Sequence, residues 1–245
     1  MDDLIYTALS GAKALMARQD VLTHNLANVG TSGFRADMTT FRAVPVVEDG
    51  TSTTRVFNIE ATAGYNAMPG PVSTTDRPLD VAIRGAGWFV VQTPDGGEAY
   101  TRNGGFTMGA DGSLQTGTGL LVMGDGGPIV LPANATVSVG SDGTISARIE
   151  KQPPIQVGRL RLVNPDPGSL RKGPDGLLRS VGGEPAADDA KVRVAGGVLE
   201  GSNVNVVESM VGMIELARQF DIQMRLLQNA ESNDQRAASL LSLTS

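Results

Sequence analysis

The sequence predicts a mainly β central domain, an antiparallel sandwich or distorted barrel, with long N- and C-terminal α-helices that form a helical-bundle or coiled-coil domain. Three observations predict this fold class. Both ends of the chain repeat apolar residues at alternating steps of three and four, the period of a helix that packs on another helix. The middle alternates short β-type segments with Asp-Gly pairs. Glycine supplies 31 of 245 residues, well above its usual share of about 7%, which indicates many tight turns.

The C-terminal helix is predicted to begin at Asn205 and to run to about Leu243. Asn205 and Glu208 stand at the spacing of a capping box, which pairs the first free N–H groups of a helix. A narrow apolar stripe follows, and such a stripe favours packing against another helix over packing on a broad core. We therefore predict an assembly interface made of Met210, Met213, Ala217, Phe220, Met224 and Leu227.

The N-terminal helix is predicted over residues 3 to about 29. Asp2 and Asp3 suit its start, where negative charge is favoured, and Gly30 and Gly33 end it. Gly11 inside it indicates either simple surface tolerance or the close approach of a neighbouring helix. Its stripe adds Ile5, Leu9, Ala12, Met16 and Leu26 to the predicted assembly interface.

The periodicities divide the chain into three parts. Residues 1–30 and 204–245 are predicted to form a terminal helical assembly domain. Residues 31–75, rich in Ser, Thr, Gly and Pro, are predicted to be a linker that is extended and partly disordered in the monomer. Residues 76–203 form the β-rich outer domain, with predicted strands at 79–84, 88–92, 98–102, 120–123, 136–139, 144–147, 158–163 and 191–195. Five Asp-Gly pairs between these segments predict hairpin turns.

Composition excludes several function classes. The net charge of −6 and the absence of a Lys or Arg run argue against a nucleic-acid partner. The absence of cysteine excludes disulfides and thiolate chemistry. No apolar stretch reaches the roughly 18 residues that a transmembrane segment needs. The N-terminus lacks the basic and apolar regions of a signal peptide, so we expect no cleaved signal.

No reaction centre emerges from the residues, and we predict a protein that is not an enzyme and needs no cofactor or metal. His24 is the sole histidine, and a lone histidine near a helix end is usually a cap or a packing residue. A carboxylate pair for glycoside hydrolysis, drawn from Asp76, Asp80 and Glu98, stays open because its spacing is spatial. Against it, sugar clefts usually show several aromatic residues, and here Trp88 and Tyr100 are nearly alone.

Four motifs resemble those of the flagellar axial proteins, the rod and hook group. The N-terminal one covers residues 25–35 (NLANVGTSGFR), and the C-terminal one begins at residues 199–204 (LEGSNV). Residues 77–85 (RPLDVAIRG) and 100–106 (YTRNGGF) match the core of the rod proteins. Within the group, the opening residues 1–12, the segment 41–46 and the chain length resemble the proximal-rod type, and a distal-rod or hook-type subunit is the alternative.

The resemblance implies a structural subunit of the bacterial flagellar basal-body rod. Such subunits polymerise, with themselves and with other rod proteins, into a hollow helical shaft that transmits torque. They are exported unfolded through the flagellar type III export apparatus without a cleaved signal, and they polymerise in the periplasm. In the N-terminal motif, Asn25 and Asn28 are expected to hold a defined turn that docks Phe34 on helices, although they could simply end the first helix. Arg84 and Arg102 are candidates to bridge subunits, although a plain strand explains their motif equally simply.

Overall fold

The computed structural model of the chain describes residues 2–45, 56–149 and 152–242. Two compact units divide these residues. The helix unit lies within residues 1–27, 37–64 and 205–245, and the β unit comprises residues 28–36 and 65–204. Each unit is therefore discontinuous in sequence.

The helix unit contains α1 (Asp2–Ala27), α2 (Val206–Ser242) and a two-stranded sheet of β1 (Asp37–Pro45) and β2 (Val56–Tyr65). The start of α2 is as predicted, because the side-chain oxygen of Asn205 accepts hydrogen bonds from the N–H groups of Val207 and Glu208. A Cβ on Gly11 would lie 3.4 Å from Nε2 of Gln223, and one on Gly212 would lie 3.0 Å from Cδ1 of Leu22. The two helices are thus antiparallel, and the close approach occurs at Gly212, whereas a Cβ on Gly11 would make an ordinary contact with the side chain of Gln223.

The β unit consists of short strands. In chain order they are β3 (Val72–Thr74), β4 (Val81–Arg84), β5 (Trp88–Gln92), β6 (Glu98–Thr101), β7 (Phe106–Met108), β8 (Leu114–Thr116), β9 (Leu121–Gly124), β10 (Gly127–Pro128), β11 (Thr136–Val139), β12 (Thr144–Arg148), β13 (Ile155–Arg159), β14 (Leu162–Val163), β15 (Leu170–Lys172), β16 (Leu178–Ser180), β17 (Arg193–Gly196) and β18 (Val198–Glu200).

These strands form several sheets of different size. The largest described sheet has the order β15-β16-β6-β5-β9-β8-β7, with β10 paired to β9 and β14 to β5. A three-stranded sheet has the order β11-β12-β13, and β17–β4 and β18–β3 are separate pairs. The pairings with a recorded register are antiparallel, including β5 with β6 and β11 with β12.

The predicted fold class is wrong in both of its parts. The described residues contain two α-helices, which form one antiparallel pair and not a helical-bundle or coiled-coil domain. A repeat with a step of 3.5 predicts that a helix has a partner, but it does not say how many partners one chain supplies. The strands form several small sheets in place of a sandwich or barrel. In the β unit each strand has at most five residues, and the turns between them let successive strands change partners.

Strand β5 is the centre of the β unit, because both of its faces are buried. Phe89 and Val91 point into the larger apolar cluster, where the rings of Phe89 and Phe106 lie 5.2 Å apart edge to face. Trp88 and Val90 point into a smaller cluster with Tyr100 and Leu178. A strand that is buried on both faces fixes the position of everything that pairs with it.

The Asp-Gly turns confirm the hairpin prediction. They join β5 to β6, β7 to β8, β9 to β10, β11 to β12 and β15 to β16. In the turn at Asp142, Gly143 has φ +86° and donates to the carbonyl of Gly140, whose own N–H donates to Thr144. This is the arrangement of a turn followed by a left-handed residue, which glycine adopts without strain.

Four of these turns carry an aspartate whose pKa is lowered below its ordinary value of 3.8. For Asp95 the main cause is a hydrogen bond with the side chain of Thr93. The other three are Asp111, Asp142 and Asp175. For these three the main cause is a hydrogen bond from the side chain of Ser113 for Asp111, of Thr144 for Asp142 and of Arg179 for Asp175. In each of the three the backbone N–H two residues on also donates to the carboxylate. The turns are therefore stabilised by the charged form of the aspartate.

The lowered pKa values predict that acid destabilises the β unit. An acidic group whose pKa is lower in the folded state than in the unfolded state stabilises the fold at any pH above the unfolded-state pKa. This stabilisation is lost as the pH falls through the folded-state pKa. The melting temperature should therefore fall below about pH 4. The triple variant Asp111→Asn, Asp142→Asn, Asp175→Asn should show a shallower fall in thermal melting between pH 5 and pH 2. An unchanged slope would show that the turns do not contribute.

The close packing around Gly104 can be tested by adding a side chain at this position. A Cβ at this position would lie 1.7 Å from the carbonyl oxygen of Val81, whereas one on Gly126 would meet nothing within 4 Å. Because backbone cannot yield as a side chain can, Gly104→Ala should destabilise the protein by at least about 1–3 kcal/mol. Gly126→Ala should be close to neutral. Urea denaturation of both variants measures the difference, and equal stabilities would contradict the packing.

Candidate assembly surface

The contact row of α2 differs from the predicted stripe. Ser209 and Leu216 are buried, and Met213, Phe220 and Leu227 are half-buried at the same steps of four and three. The other predicted members, Met210, Ala217 and Met224, are exposed. The prediction therefore combined two adjacent rows of the helix. One row packs within the unit, and the other faces outward.

The predicted residues of α1 divide in the same way. Ala12 is buried and Leu26 is half-buried, while Leu9 and Met16 are more than half exposed. The side chain of Ile5 lies outside the described residues. The structure therefore does not gather the predicted interface residues into one contact.

An exposed apolar face on α2 is the main candidate assembly surface. Val207, Met210, Val211 and Ile214 lie within two turns at steps of three and four, and each is at least 48% exposed. Ile222 and Leu226 form a second exposed apolar pair further along the helix, while Met224, two residues from each, lies on the side of Met210. Contiguous exposed apolar surface of this kind usually marks a site of protein–protein contact.

Asn25 holds the end of α1 to the start of β1. Its side-chain N–H group donates to the carbonyl of Asp37 at 3.0 Å, and its side-chain oxygen accepts from the N–H of Asp37 at 2.7 Å. The side chain thus forms the two hydrogen bonds that the backbone of a neighbouring strand would otherwise form with Asp37. Nδ1 of His24 lies 2.5 Å from a carboxylate oxygen of Asp37 and completes the junction. All these residues belong to the helix unit.

Residues 28–34 form a defined turn, and the docking of Phe34 on helices stays a prediction. Asn28 accepts two hydrogen bonds from Thr31, through its backbone and side-chain oxygens. Gly33 has φ +68°, and a Cβ there would lie 2.2 Å from the backbone of Arg102. Phe34 is buried in the β unit, with Nζ of Lys172 lying 3.8 Å from the centre of its ring. Residues 28–35 of the N-terminal motif therefore belong to the β unit, whereas Asn25 belongs to the helix unit.

A buried cluster of charges joins the N- and C-terminal motifs to the middle ones. Glu200 is 1% exposed, and its two carboxylate oxygens lie 2.6 Å from Nη2 of Arg35 and 3.1 Å from Nη1 of Arg102. The Arg102 contact is a hydrogen bond, whereas the angles of the Arg35 contact leave it an ion pair alone. Both guanidinium groups lie against Trp88, at 5.8 and 5.2 Å from its ring centre.

Burial sets the electrostatics of this cluster. It is the main cause that lowers the pKa of Arg102, and the charge of Arg35 lowers that pKa further, while Glu200 raises it. Burial also raises the pKa of Tyr65 above 10.0, against the pull of both arginines, so Tyr65 stays neutral. Tyr65 packs edge to face on Trp88 at 5.9 Å. The negative charge of Glu200 therefore offsets part of the desolvation cost of burying two arginines.

Sequence reasoning missed the role of Glu200 and the internal contacts of Arg102. Arg102 is 5% exposed and bound within the chain, and its bridging of subunits stays a prediction. A signal was present, because Arg35, Arg102 and Glu200 each lie in one of the recognised motifs. Their pairing could not be read from the sequence, since 98 positions separate Arg102 from Glu200.

The described residues show no arrangement that points to catalysis. They contain no group of three or more His, Asp or Glu side chains that could hold a metal ion. Two carboxylates considered for hydrolysis have internal contacts, since Glu98 accepts from Arg161 and Asp80 is buried 3.7 Å from Arg77. No helix in the described ranges is long and apolar enough to cross a membrane.

Comparison with known families gives three matches along the chain. Residues 5–35 match the family described as flagella basal body rod protein. Residues 82–147 match the flagellar hook protein FlgE/F/G D1 domain, and residues 195–240 match the C-terminal part of the flagellar basal body rod FlgEFG proteins. The matched N- and C-terminal segments contain the candidate surface on α2 and two members of the charge cluster.

Individual relatives match over the whole length. The chain is 43% identical to the flagellar basal-body rod protein FlgF of Salmonella typhimurium and 42% identical to that of Escherichia coli, over 100% of both chains in each case. It is 30% identical to the rod protein FlgG of Buchnera aphidicola from Acyrthosiphon pisum, over 96% of this chain and 98% of the relative.

A chain with these motifs at both ends and a β unit between them is an axial protein of the flagellum. It belongs to the FlgF family of flagellar basal-body rod proteins. It is a structural subunit of the rod, it lies in the basal body, and it assembles with other rod components.

The charge cluster predicts a large cost for neutralising Glu200. Glu200→Gln leaves two buried arginines without a counter-charge and should destabilise the protein by about 3–5 kcal/mol. The control is Glu98→Gln, whose partner Arg161 keeps its contact with Asp188 and which should cost about 1 kcal/mol or less. Denaturation followed by the fluorescence of Trp88, the sole tryptophan, reports on the cluster directly. Similar costs for both variants would contradict the assignment.

Proposed function

We propose that this rod subunit is of the proximal type and polymerises into a hollow helical shaft that transmits torque. The terminal segments, residues 1–30 and 204–245, serve assembly, and residues 76–203 form the outer part. The proximal type is supported by higher identity to proteins named FlgF than to a protein named FlgG. The subunit is exported unfolded into the periplasm through the flagellar type III apparatus without a cleaved signal, an inference that rests on family membership.

One observation carries the assembly role of the helices: the predicted stripe residues Met210, Ala217 and Met224 remain exposed after α1 and α2 have packed. Leu9 and Met16 on α1 are exposed as well. Burial of apolar area stabilises contacts by about 25 cal/mol per Å². In a rod the same contact recurs in each copy, so a moderate gain per side chain is sufficient to hold the polymer.

Methionine suits this role for a physical reason. Its unbranched and polarizable side chain adapts to surfaces of different shape. A proximal subunit meets its own kind on some sides and unlike rod proteins on others, so its contacts cannot all be identical. Contacts between two different surfaces of a subunit give open helical filaments where the rotation does not close a ring.

The assembly role of α2 predicts that Met224→Asp blocks rod formation and leaves the monomer folded. Met224 is 38% exposed in the subunit, so the substitution disturbs little there. Once covered by a neighbouring subunit, an unpaired carboxylate would cost several kcal/mol or neutralise. Electron microscopy of basal bodies and swimming assays measure assembly, and thermal melting of the purified chain measures the fold.

Gln219→Asp is the matched control, because Gln219 is exposed and, five residues from Met224, points to a different side of α2. It adds the same charge outside the predicted stripe, so cells with this variant should swim nearly as well as the parent. Normal swimming with Met224→Asp would show that the stripe is not the assembly surface. A lowered melting temperature would show that the substitution acts on the fold instead.

A further inference from the structure

Residues 66–75 form an exposed and uncharged segment of the β unit. No charged side chain lies between Glu60 and Asp76, in a chain where 19% of residues are charged. Met68 is 69% exposed and Val72 is 60% exposed, and Pro69 and Pro71 between them are also exposed. All three residues of β3, which begins at Val72, are exposed. We call residues 68–72 the apolar ridge.

The backbone of this ridge is held firmly although its side chains face outward. The side-chain amide of Asn203 donates to the carbonyls of Asn66 and Met68 at 2.9 and 2.7 Å, and its oxygen accepts from the N–H of Ala36. All the hydrogen-bonding groups of that amide are therefore used. Glu200, the centre of the charge cluster, accepts from the N–H of Gly70 at 3.0 Å.

Close packing fixes the middle of the ridge further. Gly201 donates to the carbonyl of Pro71, and a Cβ on Gly70 would lie 2.2 Å from the carbonyl oxygen of Gly201. The two prolines fix their own φ angles. An apolar element that is already ordered loses little entropy on binding, so its exposed area converts efficiently into affinity.

We propose that the apolar ridge is a second contact surface, which binds an uncharged apolar surface on a neighbouring rod subunit of this family. The inference rests on the proposed function, since it assigns a further surface to the same polymer. The charge pattern selects the partner chemistry. A charged partner surface would lose hydration against the ten uncharged positions 66–75 and gain no counter-charge. An uncharged partner surface has no hydrated charges to desolvate.

The variant that tests the ridge carries Met68→Lys and Val72→Lys together. Both side chains are exposed, so the melting temperature of the purified subunit should not change. Completed basal bodies should fall at least about tenfold, a change equivalent to about 1.4 kcal/mol, because a buried lysine charge costs more than that. Val181→Lys is the control, since Val181 is 68% exposed in the same unit but lies outside the ridge. It should assemble like the parent.

A photo-crosslinking amino acid at position 68 identifies the partner in isolated basal bodies. We expect crosslinks to a peptide of this chain or of another rod subunit, and far fewer from position 181. The proposal is overturned if the double lysine variant gives normal basal-body counts, or if Val181→Lys reduces the counts equally. It is also overturned if position 68 crosslinks solely to proteins outside the rod. If Met224→Asp blocks assembly while the double lysine variant does not, the proposed contact at the ridge is wrong and the proposed assembly role of α2 is supported.

Discussion

The fold of the β unit depends on one buried charge. Glu200 neutralises Arg35 and Arg102, and it also accepts from Gly70. Its backbone carbonyl accepts from Gly33. Four segments far apart in sequence therefore meet at one residue: the N-terminal motif, the ridge, the strand that ends before Arg102, and the C-terminal motif. Because isolated buried charges are costly, these segments can be buried together but not separately.

This arrangement explains why recognisable motifs lie next to the helices and not only within them. Residues 33–36 follow α1 closely, and residues 199–203 precede α2, and both are bound within the β unit. In the helix unit Asn25 has a similar role, because its side chain forms hydrogen bonds with both the N–H and the carbonyl of Asp37. The helices can then keep apolar residues such as Met210 exposed for assembly, since the fold of the β unit rests on its own polar contacts.

Local features of the fold could be predicted from the sequence, and pairings between distant residues could not. The Asp-Gly turns, the strand Trp88–Gln92 and the cap at Asn205 follow from rules that act within a few residues, and the structure has them. The choice between Leu216 and Ala217 for the contact row of α2 depends on the partner helix α1, whose Leu22 packs closely against Gly212 of α2. Strands with three residues, such as β3 and β18, carry too little pattern to be predicted at all.

The exposed row of α2 is expected to pack against neighbouring subunits in the rod. A map of the assembled basal body, at a resolution that shows side chains, would locate this row. Met210, Ile214 and Met224 should be buried between subunits, with Leu216 still packed inside its own helix pair. If those three side chains instead face open solvent in the assembled rod, α2 does not supply the assembly surface.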